Sequence, residues 1–253
     1  MNKIFTKKLI SLLGGNDAKV VKNLKKIKAS LITFFKYFKR KNKYKRSYSQ
    51  CGEDMIIKHI FDSFGIMQPS YIDIGAHDPY FLSNTAYFYE SGSTGINIEP
   101  NPVLFENIKK VRRKDINLNI GIGNISGNMD FYLMDSPTMS TFSKKQADNL
   151  CLNHKTKIEK TINVKVKPLM DVINEYCNGI FPDFLSCDAE GLDFDIIKSI
   201  DYKQSSPKVI CVEAVEYTGN VFGRKETEII NFLEDQGYYF YADTGNNSIF
   251  IKK

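Results

Sequence analysis

The 253-residue sequence has no tryptophan, only three histidines and only five cysteines. The number of cysteines is odd, and the sequence contains neither a CxxC pair nor a Cys/His cluster with zinc-ligand spacing. These absences exclude a disulfide-stapled secreted fold and a structural zinc site, and they favour a reducing, cytoplasmic environment. A run of about 20 apolar residues is also missing, so no membrane-spanning helix is predicted. Lys7 and Lys8 interrupt the one candidate signal-peptide core.

Acidic residues are almost absent from the first 46 residues. This segment has 15 Lys or Arg and one acid, Asp17, so its net charge is +14, whereas residues 47–253 carry a net charge of −8. A basic arm on an acidic body argues against a nucleic-acid-binding protein, because the positive charge does not extend over the body. We predict a basic helical N-terminal extension at residues 1–46 and one globular domain at residues 47–253.

The arm has apolar residues at alternating steps of four and three positions between residues 19 and 40: Val20, Leu24, Ile27, Leu31, Phe34 and Phe38. This spacing predicts an amphipathic helix with one apolar seam. The seam favours docking on the chain's own domain or on a second copy in a homodimer. The lysines around it leave open a second interpretation, which is peripheral contact with an anionic surface such as lipid headgroups or a polyanionic carbohydrate.

From residue 47 onwards, strand-like and helix-like runs alternate, which is typical of a parallel sheet covered by helices. Strands are predicted at 71–75, 95–99, 116–122, 184–187 and 209–213, helices at 52–64, 84–91, 101–110, 169–176, 194–199 and 226–236, and a closing hairpin at 238–242 and 248–251 with Asn246 and Asn247 in its turn. Two more strands, 129–134 and 161–166, flank a polar insertion at 135–160. We predict this insertion to be an irregular loop that binds the substrate.

The ends of the first two strands predict the ligand, because ligands of such sheets bind beyond the carboxyl ends of the strands. The first strand leads into Asp73, Gly75 and His77, and Glu99 ends the second, 24 positions after Gly75. Gly75 allows a sharp turn close to a ligand, and Glu99 suits a ribose diol, unless it is a solvated acid that caps the next helix. The turn lacks the G-x-G-x-x-G pattern that receives a pyrophosphate. The predicted ligand is therefore phosphate-free S-adenosylmethionine.

Six segments give the body a resemblance to the FkbM-type methyltransferase family. They are residues 48–54 (YSQCGED), 71–77 (YIDIGAH), 83–85 (SNT), 95–102 (GINIEPNP), 184–191 (FLSCDAEG) and 211–214 (CVEA). The resemblance implies a class I, Rossmann-like α/β fold with a doubly wound, mostly parallel seven-stranded sheet and a C-terminal antiparallel hairpin. It also implies O-methylation, often of sugars or small natural products, and it does not include the arm.

By this resemblance, six residues bind the cofactor: Gln50, Asp73, Gly75, Asn84, Glu99 and Gly123. Asp73 and Gly75 line its methionine end, and Glu99 binds its ribose. Gln50 and Asn84 are within reach of its carboxylate or amino group, and the segment from Gly121 to Asn124, which includes Gly123, borders its adenine. For Gln50 and its neighbour Ser49, a helix cap before Glu53 is an equally good interpretation.

Acidic residues also end the next two strands, Asp188 and Glu190 after one and Glu213 on the other. Neighbouring parallel strands lie about 4.8 Å apart, so these carboxylates are expected to converge, and like charges so close favour a bound cation. The sequence predicts Mg²⁺ or Mn²⁺, which lowers the pKa of an acceptor hydroxyl. Asp188 and Glu213 are the predicted ligands. Glu190 is the third ligand or the base, with His77 as another candidate base; a helix-capping role for Glu190 is the alternative.

The sequence therefore predicts an S-adenosylmethionine-dependent O-methyltransferase that acts on a carbohydrate hydroxyl. The acceptor is free, polymeric or nucleotide-linked, and it is destined for a bacterial capsule or surface polysaccharide. Methylation of a small non-sugar metabolite or of a nitrogen is the second prediction. A non-catalytic, membrane-peripheral scaffold that uses the basic arm is the third.

Overall fold

The computed structural model describes Lys26, Ser30 and residues 46–216, 224–225 and 227–253, with the backbone alone described at 215–216 and 224–225. The chain divides into two compact units, Met1–Arg46 and Ser47–Lys253, which are described separately. In the first unit, Lys26 and Ser30 are helical and exposed. The rest of the predicted helix at 19–40 lies outside the described residues, so the arm's roles stay predictions. Of the helices that are described, none is both long and apolar enough to cross a membrane.

The second unit alternates strands and helices along the chain. Its elements are α1 (Glu53–Ser63), β1 (Tyr71–Ile74), α2 (Ala86–Glu90), β2 (Gly95–Ile98), α3 (Pro102–Val111), β3 (Ile116–Leu118), β4 (Gly121–Ile122), β5 (Gly127–Met134), a 3-10 turn (Pro137–Met139), α4 (Lys144–Asn153), β6 (Ile158–Lys167), α5 (Leu169–Cys177), β7 (Phe184–Cys187), α6 (Asp193–Lys198), β8 (Val209–Glu213), β9 (Val215–Glu216), β10 (Arg224–Lys225), α7 (Thr227–Asp235), β11 (Tyr238–Asp243) and β12 (Asn247–Lys252).

A seven-stranded sheet forms the centre of this unit, in the order β11-β12-β8-β7-β1-β2-β3. Strands β3, β2, β1, β7 and β8 are parallel to one another, and β12 runs antiparallel to both β8 and β11. The strand order reverses between β1 and β7, which is the position where doubly wound sheets bind ligands. The predicted fold class, including the closing antiparallel hairpin, is confirmed.

Helices cover both faces of the sheet, which explains why its central strands are mostly apolar in the sequence. All four residues of β1 and all four of β7 are buried. On one face, the strands pack against α5, α6 and α7 through residues such as Val172, Ile197 and Leu233. On the other face they pack against α1 and α2, through residues such as Phe61 and Phe88.

Two predictions about the middle of the chain were wrong. The single strand expected at 116–122 is divided, because only β3 joins the main sheet, whereas β4 pairs with β6 in a separate sheet of order β4-β6-β5. At the break, the Asn119 side-chain amide donates to the Glu99 carbonyl at 2.8 Å. The insertion is also more regular than predicted, because it contains α4. The Ser143 side chain accepts from the Gln146 backbone N–H at the start of this helix, and Leu150 of the helix belongs to a small buried cluster with Met134 and Ala147.

The closing hairpin differs from the prediction in the position of one residue. Asn247 belongs to β12 rather than to the turn, because it pairs with Glu213 at the end of β8. The turn thus lies directly beside the carboxyl end of a central strand, which brings Asn246 and Asn247 to the region where ligands of this fold bind.

Candidate active site

A cavity of about 280 Å³ opens at the carboxyl ends of β1, β2, β7 and β8. Its volume is near the lower end of the roughly 300–1,000 Å³ typical of ligand pockets. The floor consists of the turns that follow these strands. The remaining described walls include residues 82–84, residues 137–140 with Phe142 and Leu150 of the insertion, and the hairpin turn with Asn246 and Asn247. Gln50, Leu104, Phe131 and the two residues of β4 also line them.

Gly75 fixes the turn after β1 against the end of β7. Its φ is 78°, and a Cβ at this position would lie 1.9 Å from the Asp188 carbonyl oxygen, so only glycine fits. The Gly75 N–H donates to the Ile98 carbonyl at 3.0 Å, and the Asp188 N–H donates to the Ile74 carbonyl at 3.0 Å. The backbone of this turn is therefore attached to the strand on either side of β1.

Glu99 is 5% exposed, and its carboxylate is oriented by two backbone N–H groups. Oε2 accepts from the His77 N–H and Oε1 from the Asn101 N–H, each at 2.8 Å. Each oxygen keeps a second acceptor site, which suits the two hydroxyls of a diol. Burial, opposed by these two hydrogen bonds, raises the pKa of Glu99 to about 7. Asn101 is the cap of α3, so the solvated-cap interpretation of Glu99 does not hold.

Asp73 and Asn84 lie side by side on the cavity wall. The buried Asp73 carboxylate accepts a hydrogen bond from the Thr85 hydroxyl at 2.6 Å. Burial raises the pKa of Asp73, and the Thr85 hydrogen bond and the Arg112 charge oppose that rise. The Asn84 amide donates to the Ser186 hydroxyl at 3.3 Å. Both side chains therefore have local partners that fix their orientation toward the cavity.

The segment before α1 contains Ser49 and Gln50, for which a helix cap and a cofactor contact were the two interpretations. The Ser49 hydroxyl donates to Asp54 at 2.9 Å and accepts from the Asp54 N–H at 3.3 Å, so Ser49 has a capping role. Gln50 is exposed and lines the cavity. Among the described side chains, Gln50 is thus the one of this pair that the structure brings to the site.

The carboxylates of Asp188, Glu190 and Glu213 converge as predicted, with one oxygen of each within 4.8 Å of the others. Asp188 is accessible from the cavity, although protein surrounds it on the other sides. Burial, with a contribution from the nearby Asp193 carboxylate, raises the pKa of Asp188. Burial and the Asp188 charge raise the pKa of Glu190 well above its usual value. No hydrogen bond to the Asp188 or Glu190 carboxylate occurs among the described residues.

Glu190 has a strained backbone, with a φ of 48°. This left-handed conformation costs a non-glycine residue roughly 1–2 kcal/mol, and such strain concentrates at functional sites. The Asp193 carboxylate stabilises the turn by accepting from the Ala189 N–H at 2.9 Å and the Gly191 N–H at 3.2 Å. The Asp193 carboxylate, rather than that of Glu190, therefore bonds the backbone of this turn, and Glu190 lines the cavity.

His77 also lines the cavity and has a positive φ of 51°. Its Nδ1 is buried without a hydrogen-bond partner in the part of the chain that the structure describes. Burial lowers the pKa of His77, although the Asp78 charge opposes this effect. The imidazole is therefore neutral at neutral pH and able to accept a proton.

Gly123 is the one predicted cofactor residue that the structure does not bring to the cavity. A Cβ at Gly123 would approach Val166 and Met129 instead, because the chain turns toward β6 after β4. Gly121 and Ile122 form that wall. Asn246 and Asn247 also line the cavity, and the sequence did not predict this. Their place at the start of the last strand of the predicted hairpin was the signal that could have identified them.

The sheet order, the glycine turn after β1 and the acid at the end of β2 define a class I methyltransferase. The model of the methyltransferase FkbM domain matches residues 73–240, more than half of the chain. The chain belongs to this family and is an S-adenosylmethionine-dependent methyltransferase.

No curated protein matches the sequence. Among solved structures, the chain is similar to an O-methyltransferase from Bacillus cereus in complex with S-adenosylhomocysteine, at 12% identity and TM-score 0.39, covering 98% of this chain and 96% of that one. It is also similar to a TehB-like SAM-dependent methyltransferase from Corynebacterium glutamicum, at 9% identity and TM-score 0.40, covering 89% and 99%. These scores are too low to transfer residues or substrates.

Proposed function

We propose that the chain transfers the methyl group of S-adenosylmethionine to an oxygen, namely a hydroxyl of a carbohydrate. One observation carries this proposal: three carboxylates converge within 4.8 Å in the same cavity that Glu99 and the Gly75 turn line. A poor nucleophile such as a hydroxyl requires this kind of acidic site, because its proton must leave as the oxygen attacks. The carbohydrate part of the proposal rests on the family resemblance.

The residues around the Gly75 turn fit the cofactor. Glu99 has two acceptor sites left for a ribose diol, and Gly75 leaves space where a side chain would collide with backbone. Asp73, Asn84 and Gln50 would bind the amino-acid end, and Gly121, rather than Gly123, would border the adenine. When bound, S-adenosylmethionine supplies a methyl group on a positively charged sulfonium.

The acid cluster fits a divalent cation, because oxygen ligands are those that Mg²⁺ and Mn²⁺ prefer. Asp188 and Glu213 are the proposed ligands, with Glu190 as third ligand or base. When bound, the cation would lower the pKa of the acceptor hydroxyl. The fit rests on the donor set, which is three carboxylates with one oxygen each within 4.8 Å of the others.

The reaction forms an O–CH₃ bond as the S–CH₃ bond breaks, and the hydroxyl proton passes to a residue of the chain. Glu190 is the proposed base, because its raised pKa makes the carboxylate a stronger proton acceptor. The Asp193 contacts to the backbone at 189 and 191 fix its position. Neutral His77 is the second candidate for this step. We further propose a reducing cytoplasmic location, which suits the five unpaired cysteines.

The proposal is tested with the labelled methyl donor and a panel of sugars, together with calorimetry of S-adenosylhomocysteine binding. We expect micromolar binding of the product, transfer to at least one sugar hydroxyl, and loss of transfer after chelation that Mn²⁺ reverses. Absence of binding to folded protein would overturn the whole proposal. Full activity after exhaustive chelation would overturn the metal part alone, and labelling of a nitrogen or of a non-sugar metabolite would overturn the acceptor.

A further inference from the structure

Two described side chains bond the backbone of the turn at 189–191, and they come from different parts of the chain. Asp193, at the start of α6, accepts from the Ala189 and Gly191 N–H groups. Thr141, in the insertion, donates from its hydroxyl to the Glu190 carbonyl at 2.8 Å, across 49 positions of the chain. The turn is therefore attached on its N–H side to the helix that follows it and on its carbonyl side to the insertion.

Thr141 is itself held in place by contacts with the backbone. It is 1% exposed, and it pairs with Tyr132 of β5 through two backbone hydrogen bonds, of 2.9 and 3.2 Å. The Thr141 hydroxyl also accepts from the Ser143 N–H at 3.0 Å. A hydroxyl has one hydrogen to donate, and with its oxygen held by Ser143 that hydrogen is available to the Glu190 carbonyl. The donor is thus fixed before any ligand binds.

Glu190 is the residue of this turn whose conformation most needs support. Its φ is 48° and that of Gly191 is 93°, so two successive residues have left-handed backbone. A non-glycine residue keeps such a conformation only where the surrounding structure holds it, and glycine permits many others. Because the Glu190 carbonyl and side chain are attached to the same Cα, a rearrangement of the turn that broke the carbonyl's hydrogen bond would also redirect the carboxylate.

We propose, resting on the proposed function, that Thr141 is a positioning residue for methyl transfer. Its hydroxyl holds the Glu190 backbone and thereby keeps the Glu190 carboxylate, which lines the cavity, directed at the acceptor hydroxyl. Placement decides how well such a group works, since an error of about 1 Å can lower a rate on the order of 100-fold. Thr141 does not belong to the described lining of the cavity, so it acts through Glu190 rather than on the ligands.

The first test compares Thr141→Val and Thr141→Ser in methyl transfer to an acceptor that the unchanged full-length protein uses. Valine keeps the branched shape without the donor, and serine keeps the donor without the branch. We expect Thr141→Val to lower kcat by about 10- to 100-fold, because the base is displaced, whereas the Kd for S-adenosylhomocysteine should hardly change. Thr141→Ser should retain kcat within about threefold. If valine retained kcat and serine lost it, the contact would be one of packing and the inference would be overturned.

Two control variants separate the bond to Glu190 from the stability of the insertion. Thr161→Val makes the same change at an exposed position that also pairs with Tyr132. Ser143→Ala removes the side-chain cap of α4 while leaving the Thr141 hydroxyl in place. Both should leave kcat unchanged, although Ser143→Ala should lower the melting temperature. An equal loss of kcat in Ser143→Ala would overturn the inference. If Thr141→Val does not fold, Thr141→Ala, which also lacks the donor, replaces it.

The second test measures the attachment of the turn directly and needs no acceptor. Hydrogen exchange of the Ala189 and Gly191 amides should become at least about tenfold faster in Thr141→Val, because the turn opens more often. Exchange of the Ile210 amide, in buried β8, should not change. Equal exchange at Ala189 and Gly191 would overturn the inference and leave the proposed function intact. Absence of S-adenosylhomocysteine binding by the folded, unchanged protein would overturn the proposed function and with it the role of Thr141.

Discussion

Two groups of charged side chains lie inside the domain, and they are built in opposite ways. In the first group, Arg112 and Asp115 form a buried ion pair with 3.1 Å between Nε and Oδ2. Asp115 also accepts from the Tyr71 hydroxyl at 2.6 Å, the Asn97 amide at 2.9 Å and the Gly95 N–H at 3.0 Å. Every contact of this carboxylate comes from the chain itself.

Arg112 is equally well satisfied. Its remaining guanidinium groups donate to the Pro79 carbonyl at 3.1 Å and to the Thr85 hydroxyl at 2.6 Å, and its guanidinium carbon lies 4.6 Å from the centre of the Tyr89 ring. Through Thr85, which donates to Asp73, the network extends to the cavity wall. Arg112 thus fixes the loop after β1 and the partner of Asp73.

The second group is the cluster of Asp188, Glu190 and Glu213, in which one carboxylate oxygen of each acid lies within 4.8 Å of the others. A buried charge whose partners all belong to the chain supports the fold, whereas breaking such a pair leaves an uncompensated charge. Acids that raise one another's pKa in a cavity are typical of a functional site. We therefore expect substitutions in the first group to change stability and those in the second to change activity.

Asp188→Asn should have the largest effect on methyl transfer. The change removes a proposed cation ligand beside the reacting oxygen, and kcat/KM should fall by roughly 10³-fold, on the scale of losing one preorganised electrostatic group. Stability should not fall, because one of several like charges is removed. Activity assays and thermal melts measure both. Asp195→Asn, on the exposed side of α6, is the matched control; unchanged kcat/KM in Asp188→Asn would break the comparison.

Arg112→Met should affect stability, in contrast to Asp188→Asn, which should affect activity. Asp115 would be left buried without its cation, which should lower the free energy of unfolding by about 3–5 kcal/mol, measured by urea denaturation. Arg113→Met, at the exposed neighbouring position, should change it by less than about 0.5 kcal/mol. A loss below 1 kcal/mol in Arg112→Met would contradict the structural role of the first group.

Glu99→Gln should weaken cofactor binding with little effect on folding. The amide NH₂ of Gln would face the N–H of His77 or Asn101, so one donor would lose its acceptor and one ribose hydroxyl would lose its carboxylate oxygen. We expect the Kd for S-adenosylhomocysteine to rise by roughly 10- to 100-fold, equivalent to one or two hydrogen bonds. Glu106→Gln, on the solvent side of α3, is the control, and equal affinities would disprove the ribose contact.

The pH dependence of stability should sharpen the same contrast. Because the folded-state pKa of Glu99 is raised to about 7, folded protein binds more protons than unfolded protein between about pH 4.5 and 7. The Glu99 contribution is therefore fully present below pH 4.5 and is lost as pH rises through 7, by roughly 3 kcal/mol. Denaturation of the ligand-free protein at a series of pH values measures this, and Glu99→Gln should flatten the slope. Identical slopes would contradict it.

The sequence predicted the parts of the molecule whose causes are local. The runs at 71–74, 184–187 and 209–213 are mostly apolar because both faces of the sheet are covered, and these strands were predicted correctly. Gly75 and the acids at strand ends were also identifiable, because parallel strands bring their carboxyl ends to one edge of the sheet. The convergence of Asp188 with Glu213 follows from that geometry.

What the sequence did not predict depends on contacts between distant segments. The break at Asn119 is stabilised by a side chain that bonds the backbone after β2. Two partners of Arg112, Pro79 and Thr85, lie in the distant segment between β1 and α2. Asp193 was not among the predicted residues, and its role depends on its bonds to the turn at 189–191. Gly123 was expected at the adenine from the family resemblance, but the direction in which β4 leaves the main sheet decides which residues border the cavity.

The contact between Gly75 and the Asp188 carbonyl has a consequence for changing what this enzyme modifies. Because even a methyl group does not fit between them, the turn after β1 and the turn after β7 pack directly against each other. A larger side chain at position 75 would therefore change the distance between these two turns only by displacing their backbones. Engineering for new acceptors should therefore target the cavity walls at residues 137–142 and at the tip of the last hairpin. Amide and apolar side chains can be exchanged there while the turns after β1 and β7 stay in place.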